Sequence, residues 1–173
     1  MIKGVKICGI SDITTLTHIL DHDFPPKFIG FICDYKKSKR YVSYERLKTL
    51  LNVDRKNTNF VCVLVDPENE VLERMKKLNF DFLQLYNVEP KKTKMIKEKY
   101  GIKIITALTI IDQNDVNEYK NYMGISDIFL FDGKGYEKSI GFDHKLLNSV
   151  PKSLNKMIAG NIKLDDIPKF NDK

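Results

Sequence analysis

Seven short apolar runs set what this chain can fold into: residues 5–7, 28–32, 60–65, 82–85, 104–107, 128–131 and 157–159. Each is rich in Val, Ile, Leu or Phe and too short for a helix, the pattern of a strand buried on both faces. Their starts lie roughly 20 to 30 residues apart, a natural length for a strand-plus-helix unit. The segments between them change period. Residues 12–20 carry Ile13, Leu16, Ile19 and Leu20 on one side, and Ser43 is placed to cap a helix over 44–51 with Leu47, Leu50 and Leu51 inward. Pro67 and Glu68 open a helix bearing Val71, Leu72, Met75 and Leu78 on one face. Pro90 opens another that ends at Tyr100, with Gly101 as its stop. Residues 112–122 read as a weaker, more polar helix. Strands alternating with helices predict a parallel α/β sheet with right-handed crossovers, in seven units within one domain over residues 1–173.

Two architectures satisfy this pattern. A doubly wound open sheet is one, but no GxGxxG follows the first strand. A TIM (β/α)8-type barrel is the other, and it calls for an eighth strand. Residues 167–173 fall where that strand is expected to begin. The expectation is therefore a barrel with seven strands visible and an incomplete C-terminus, leaving the edges of strands one and seven without partners.

Composition narrows the class of protein. Hydrophobic residues make up 42% and charged residues 30% of the chain, which is a globular rather than a disordered balance. No apolar run approaches the roughly 18 residues of a membrane span. The N-terminal MIKGVKICGI lacks the layout of a signal peptide. Three cysteines, an odd number without an export signal, predict reduced thiols in a cytoplasmic protein. None forms a CxxC pair, so no metal site is expected. The net charge of +6 suits an anionic partner: nucleic acid, acidic lipid or a phosphorylated metabolite. A solvated lysine-rich surface explains the same number. The densest basic segment is Lys36, Lys37, Lys39 and Arg40.

In both architectures reacting groups gather at the carboxyl ends of the strands. Those positions hold Cys8 and Gly9, the 34–43 loop, Asp66, the run from Gln84 to Asn87, Thr106 and Leu108, the run from Asp132 to Gly135, and Gly160 with Asn161. His18, His22 and His144 all fall elsewhere, which disfavours histidine acid/base chemistry. A thiol and a carboxylate remain as the reacting pair, Cys8 and Asp132. Taken singly, Cys8 reads as core filler, Asp132 and Gly160 as turn residues, and Asp66 as a helix cap. Only the set points to a site.

With the set in view, the chain resembles phosphoribosylanthranilate isomerase, the (β/α)8 enzyme of tryptophan biosynthesis. Residues 6–10, KICGI, are similar to the family's KICG(I/L), and GF at 30–31 with SKRYVS at 38–43 is similar to its GF…SKRY(I/V)S. VLVD at 63–66, QLY at 84–86, FLFD at 129–132 with GFD at 141–143, and AGNI at 159–162 follow the remaining motifs in order. The chain departs from the family at Tyr86 (His), Asn87 (Gly) and Asn161 (Gly), and the family's eighth strand has no counterpart here. The resemblance implies an Amadori rearrangement of N-(5-phosphoribosyl)anthranilate without metal or organic cofactor. It implies Cys8 as general base, Asp132 as general acid and Arg40 on the anthranilate carboxylate. Gln84 and Tyr86 would be further substrate contacts, and Gly160, Asn161 and Ile162 a phosphate cradle. It implies a small phosphorylated substrate, no nucleic acid or membrane partner, and a monomer or homodimer. Competing expectations are a barrel enzyme acting on another sugar phosphate, and an inactive homologue serving as a phosphate-ligand or nucleic-acid binding module.

Overall fold

The computed structural model describes residues 2–135 and 140–170; the proposed domain end at 171–173 lies outside them. Seven parallel strands run in sequence order: β1 (Lys6–Cys8), β2 (Phe28–Cys33), β3 (Asn59–Val65), β4 (Phe82–Tyr86), β5 (Lys103–Ile110), β6 (Ile128–Gly133) and β7 (Lys156–Ile158). Each pairs with the next, so the sheet winds in one direction and curls into an arc of a barrel. Among the described residues β1 and β7 do not pair, and a seam stays open between them.

Five α-helices follow the first five strands: α1 (Ile13–Leu20), α2 (Tyr44–Leu50), α3 (Asn69–Lys76), α4 (Pro90–Tyr100) and α5 (Gln113–Asn117). Their starts follow capping chemistry. Asp12 accepts the Thr15 amide at 2.8 Å, and Ser43 accepts that of Arg46. Asp12's carboxyl is held below its usual range chiefly by that backbone hydrogen bond. Asp112 and Asp115 cap α5 reciprocally. Gly101 ends α4 in the left-handed conformation at φ 62°.

The expected seven strand–helix units are only partly found. After β6 and β7 the described residues hold 3-10 turns (His144–Ser149 and Leu164–Phe170), not α-helices. Glycines at 133, 135 and 141 and a proline at 151 interrupt the first connection, and Pro168 interrupts the second. The helix expected over 112–122 also divides, into α5 and a 3-10 segment (Glu118–Tyr122). β5 is longer than expected because Ile104 to Ile110 is free of breakers, so Thr106 and Leu108 lie inside the strand, not at its end.

Two apolar layers hold the arc together. Phe28, Val61, Val63, Phe82, Ile105 and Leu130 fill the concave side. A larger layer on the convex side packs the outward strand residues against the helices, with Phe31 edge-on to Phe60 at 5.2 Å and both completely buried. Each such ring stabilises the fold by about 1.5–3 kcal/mol. At the amino ends of the strands, two aspartates tie neighbours together. The Phe60 amide donates to Asp81 and the Ile104 amide to Asp127, each at 2.7 Å, and Arg55 and Lys97 neutralise the two carboxylates.

The opposite, carboxyl ends are built for abrupt exits. Asp34, Asp66 and Asn87, each directly after its strand, adopt positive φ of 65°, 37° and 55°. Asn161 does so at 52°. Asn87 and Asn161 thus keep the left-handed conformation that glycine supplies in the family pattern, and asparagine is among the few side chains that tolerate it. Asn87→Ala is expected to destabilise the protein by about 1 kcal/mol and to lower the melting temperature by about 2–4 °C. Asn87→Gly should melt as the parent does. Thermal denaturation of the three proteins checks this.

Candidate active site

A cavity of about 1340 Å³ occupies the concave side of the arc. Its carboxyl-end wall gathers Cys8, Arg40, Tyr86, Thr109 and Asp132 from five different elements. The expected pair, one from β1 and one from β6, therefore faces a single space.

Cys8 is the half-buried cysteine; Cys33 and Cys62 are fully buried. The Cys33 thiol donates to the Phe31 carbonyl, and burial pushes the Cys62 thiol well up. Those two are packing groups. Cys8 lies opposite Gly30 on β2, where a side chain would collide with its sulfur: the Cys8 Sγ and the Lys6 Nζ each come within 2.9 Å of where a Cβ would stand. The Lys6 Nζ and the Cys8 Sγ therefore share the small space that Gly30 leaves.

Arg40 approaches the same strand from the 34–43 loop. The loop turns on Ser38, which is buried; its Oγ accepts the Arg40 amide at 3.1 Å and its carbonyl accepts that of Tyr41. Tyr41–Val42 then forms a two-residue strand along the end of β2, an element the sequence reading leaves within the loop. This return path lays the Arg40 side chain over Gly9, where a Cβ would meet its Cδ at 2.6 Å. Gly9 also has φ 89°, so both space and backbone require glycine there. Arg40 Nη1 donates to the Cys8 carbonyl at 3.2 Å. Lys36, Lys37 and Lys39 are exposed.

Asp132 sits at the end of β6, where its Oδ2 accepts the Tyr86 hydroxyl at 2.7 Å. Gln84, two residues before Tyr86, also lines the cavity but is only 1% exposed, and both polar atoms of its amide are without a hydrogen-bond partner among the described residues. Leaving such an amide unsatisfied costs about 1–3 kcal/mol.

Gly160 and Asn161 follow β7 with positive φ of 99° and 52°. Gly141 backs them: a Cβ there would stand 3.5 Å from the Gly160 carbonyl oxygen. Ile162 reaches the cavity wall. Asp66 departs from its expected role as a helix cap. The N-cap of α3 is Glu68, and Asp66 pairs instead with Lys92 at 2.8 Å. Thr109 is a wall residue that the sequence reading passes over. The alternation Ile105, Ala107, Thr109 was its available signal, hidden by ending the strand too early. No histidine lines the cavity, and among the described residues no cluster of three metal-ligating side chains is present. No helix of the described residues is long and apolar enough to cross a membrane.

A parallel, singly wound arc with polar side chains gathered around a cavity at the carboxyl ends of its strands defines a barrel of the TIM type, the architecture of enzymes whose sites lie at that end. The model of the N-(5'-phosphoribosyl)anthranilate (PRA) isomerase family matches residues 5–173, and the chain belongs to that family, whose members serve tryptophan biosynthesis. It is 31% identical over 176 residues to the N-(5'-phosphoribosyl)anthranilate isomerase of Agrobacterium fabrum, covering 96% of this chain and 79% of the relative. The Rhizobium leguminosarum bv. trifolii isomerase is also 31% identical, over 96% and 78% of the two chains. The phosphoribosyl anthranilate isomerase structure from Thermotoga maritima superposes with a TM-score of 0.82 at 23% identity, over 95% of this chain and 80% of that one. A solved isomerase complex with reduced 1-(o-carboxyphenylamino)-1-deoxyribulose 5-phosphate gives 0.78 at 22% identity, over 95% and 78%. These two superpositions bear on the fold, which is that of a TIM-type α/β barrel.

Proposed function

We propose that this chain converts N-(5-phosphoribosyl)anthranilate to 1-(2-carboxyphenylamino)-1-deoxyribulose 5-phosphate, with Asp132 as general acid and Cys8 as general base. The observation that carries the reading is the placing of these two groups, from opposite limbs of the arc, on one cavity wall.

The chemistry needs one group of each kind. Asp132 gives a proton to the ribose ring oxygen as the bond from that oxygen to C1 breaks. The nitrogen lone pair forms the C1 iminium, which acidifies the neighbouring C2–H. Cys8, as thiolate, takes that proton, and the electron pair moves into the enolamine. Protonation at C1 and loss of the hydroxyl proton at C2 then give the ketone. The substrate's iminium is the electron sink, so the route requires no metal or organic cofactor. The side chains of Lys6 and Arg40 lie beside Cys8 on the same wall.

Arg40 also receives the anthranilate carboxylate, for which its planar fork is suited. Arg40→Lys keeps the charge and loses the fork. It is expected to raise KM at least tenfold while kcat changes less, measured by steady-state kinetics. Gln84 lends its amide to the substrate from within the cavity wall. The backbone after β7, at Gly160, Asn161 and Ile162, cradles the phosphate, where small or left-handed residues let N–H groups come close. The basic loop thus serves a small phosphorylated anion rather than nucleic acid, in a cytoplasmic monomer or homodimer.

The test follows the loss of anthranilate-type fluorescence when the purified chain meets freshly generated phosphoribosylanthranilate in EDTA, coupled to the next enzyme. Enzyme-proportional turnover is expected. A chain that folds and binds the product analogue yet gives no turnover would remove the catalytic reading and leave a binding protein.

A further inference from the structure

The Tyr86 hydroxyl is the feature that the acid/base scheme leaves unexplained, and resting on that scheme we propose that Tyr86 is the positioning residue of the general acid. Its O–H donates to Asp132 Oδ2 at 2.7 Å, a well-formed hydrogen bond of a hydroxyl to a carboxyl group. The two residues stand on β4 and β6, with β5 between them, so the strands are about 9.5 Å apart, and Asp132 lies two residues beyond Leu130, the β6 residue level with Tyr86. A phenol can cross that gap because of what lies beneath it. Tyr86 pairs in register with Ala107, whose methyl leaves room for the ring, and Asp132 pairs with Thr109. The ring is 8% exposed and packs in the concave apolar layer, so the hydroxyl is held in place rather than free to swing into water.

This geometry divides the work of the carboxyl group. Oδ2 is held by Tyr86 while the carboxyl group transfers its proton. When that proton passes to the ring oxygen, the C1–O bond breaks towards the oxygen and negative charge spreads over both carboxyl oxygens. The Tyr86 O–H then donates to a charged acceptor where it donated to a neutral one. A hydrogen bond that strengthens as charge develops lowers the barrier instead of tightening substrate binding. In this role Tyr86 acts on the substrate through Asp132.

The test is Tyr86→Phe, which keeps the ring and removes the hydroxyl. The expected result is a fall in kcat of about tenfold, the fold-change for one such hydrogen bond, with KM within twofold. Affinity for the reduced product analogue should be unchanged, and the melting temperature should stay within a few degrees. In an Asp132→Asn background the same substitution should change residual turnover less than twofold, because its partner is already altered. Wild-type kcat in Tyr86→Phe overturns the proposal. So does weaker analogue binding with kcat intact, which would make Tyr86 a direct substrate contact. So does an equal loss in both backgrounds. Near-wild-type turnover of Asp132→Asn alone would instead bring down the acid assignment and this inference with it.

Discussion

Asp132→Asn is expected to lower kcat by about 10²–10⁴, the usual worth of a general acid, while the fold and the affinity for the product analogue persist. The amide is isosteric, so the Tyr86 hydroxyl keeps an oxygen acceptor in the same place. What is lost is the one acidic proton at the end of β6. Without it, the ring oxygen must leave as an alkoxide, and the ring-opening step slows. Steady-state turnover by fluorescence, with analogue binding and thermal melting as controls, measures this. A loss confined to KM would mean that Asp132 only holds the substrate. Near-wild-type turnover would mean that the acid stands elsewhere on the wall.

Cys8→Ala carries the second large effect, again about 10²–10⁴ in kcat. Removing the sulfur takes away the acceptor for the C2 proton and leaves a small hole beside Gly30, where Lys6 also sits. Part of the side chain is exposed to the cavity, so the stability cost is smaller than for a buried core truncation, about 1 kcal/mol. Catalysis should therefore fall far more than stability, and that contrast separates a base from a packing residue. Cys62→Ala should show the opposite balance, since its thiol is fully buried on the convex side. Kinetics and thermal melts of the two variants side by side decide between the roles.

The strand order and the barrel class were legible because buried parallel strands write themselves as continuous apolar runs, and all seven runs begin within one residue of the observed strands. β5 starts at the residue before its run and was cut short at its far end, because Thr106 to Thr109 mixes polar with apolar residues. The connections after β6 and β7 misled for a different reason. A count of units assumes a helix in each, whereas the described residues of these two connections, interrupted by glycines and prolines, hold 3-10 turns. The site was legible as a set of strand-end residues but not as a set of contacts. Nothing in the order of residues tells that Arg40 folds back over Gly9, or that Gly30 is small to seat the Lys6 and Cys8 side chains. Those are pairings across the sheet, fixed only by register. The Tyr86–Asp132 hydrogen bond spans 46 residues of sequence and reaches across β5, where Ala107 stands level with Tyr86 and Thr109 with Asp132. Asn87 and Asn161 read as departures from a glycine pattern; their positive φ shows that the backbone requirement is kept while the residue changes.

The most direct measurement of the central claim is turnover plotted against the extent of Cys8 alkylation by iodoacetamide in the native protein, with sites mapped by mass spectrometry. Cys8 is the cysteine open to the cavity, so it alone should react, activity should fall in proportion to its modification, and the reduced product analogue should protect both. Full turnover after complete modification of Cys8, or modification indifferent to the bound analogue, would contradict the placing of the base on this wall.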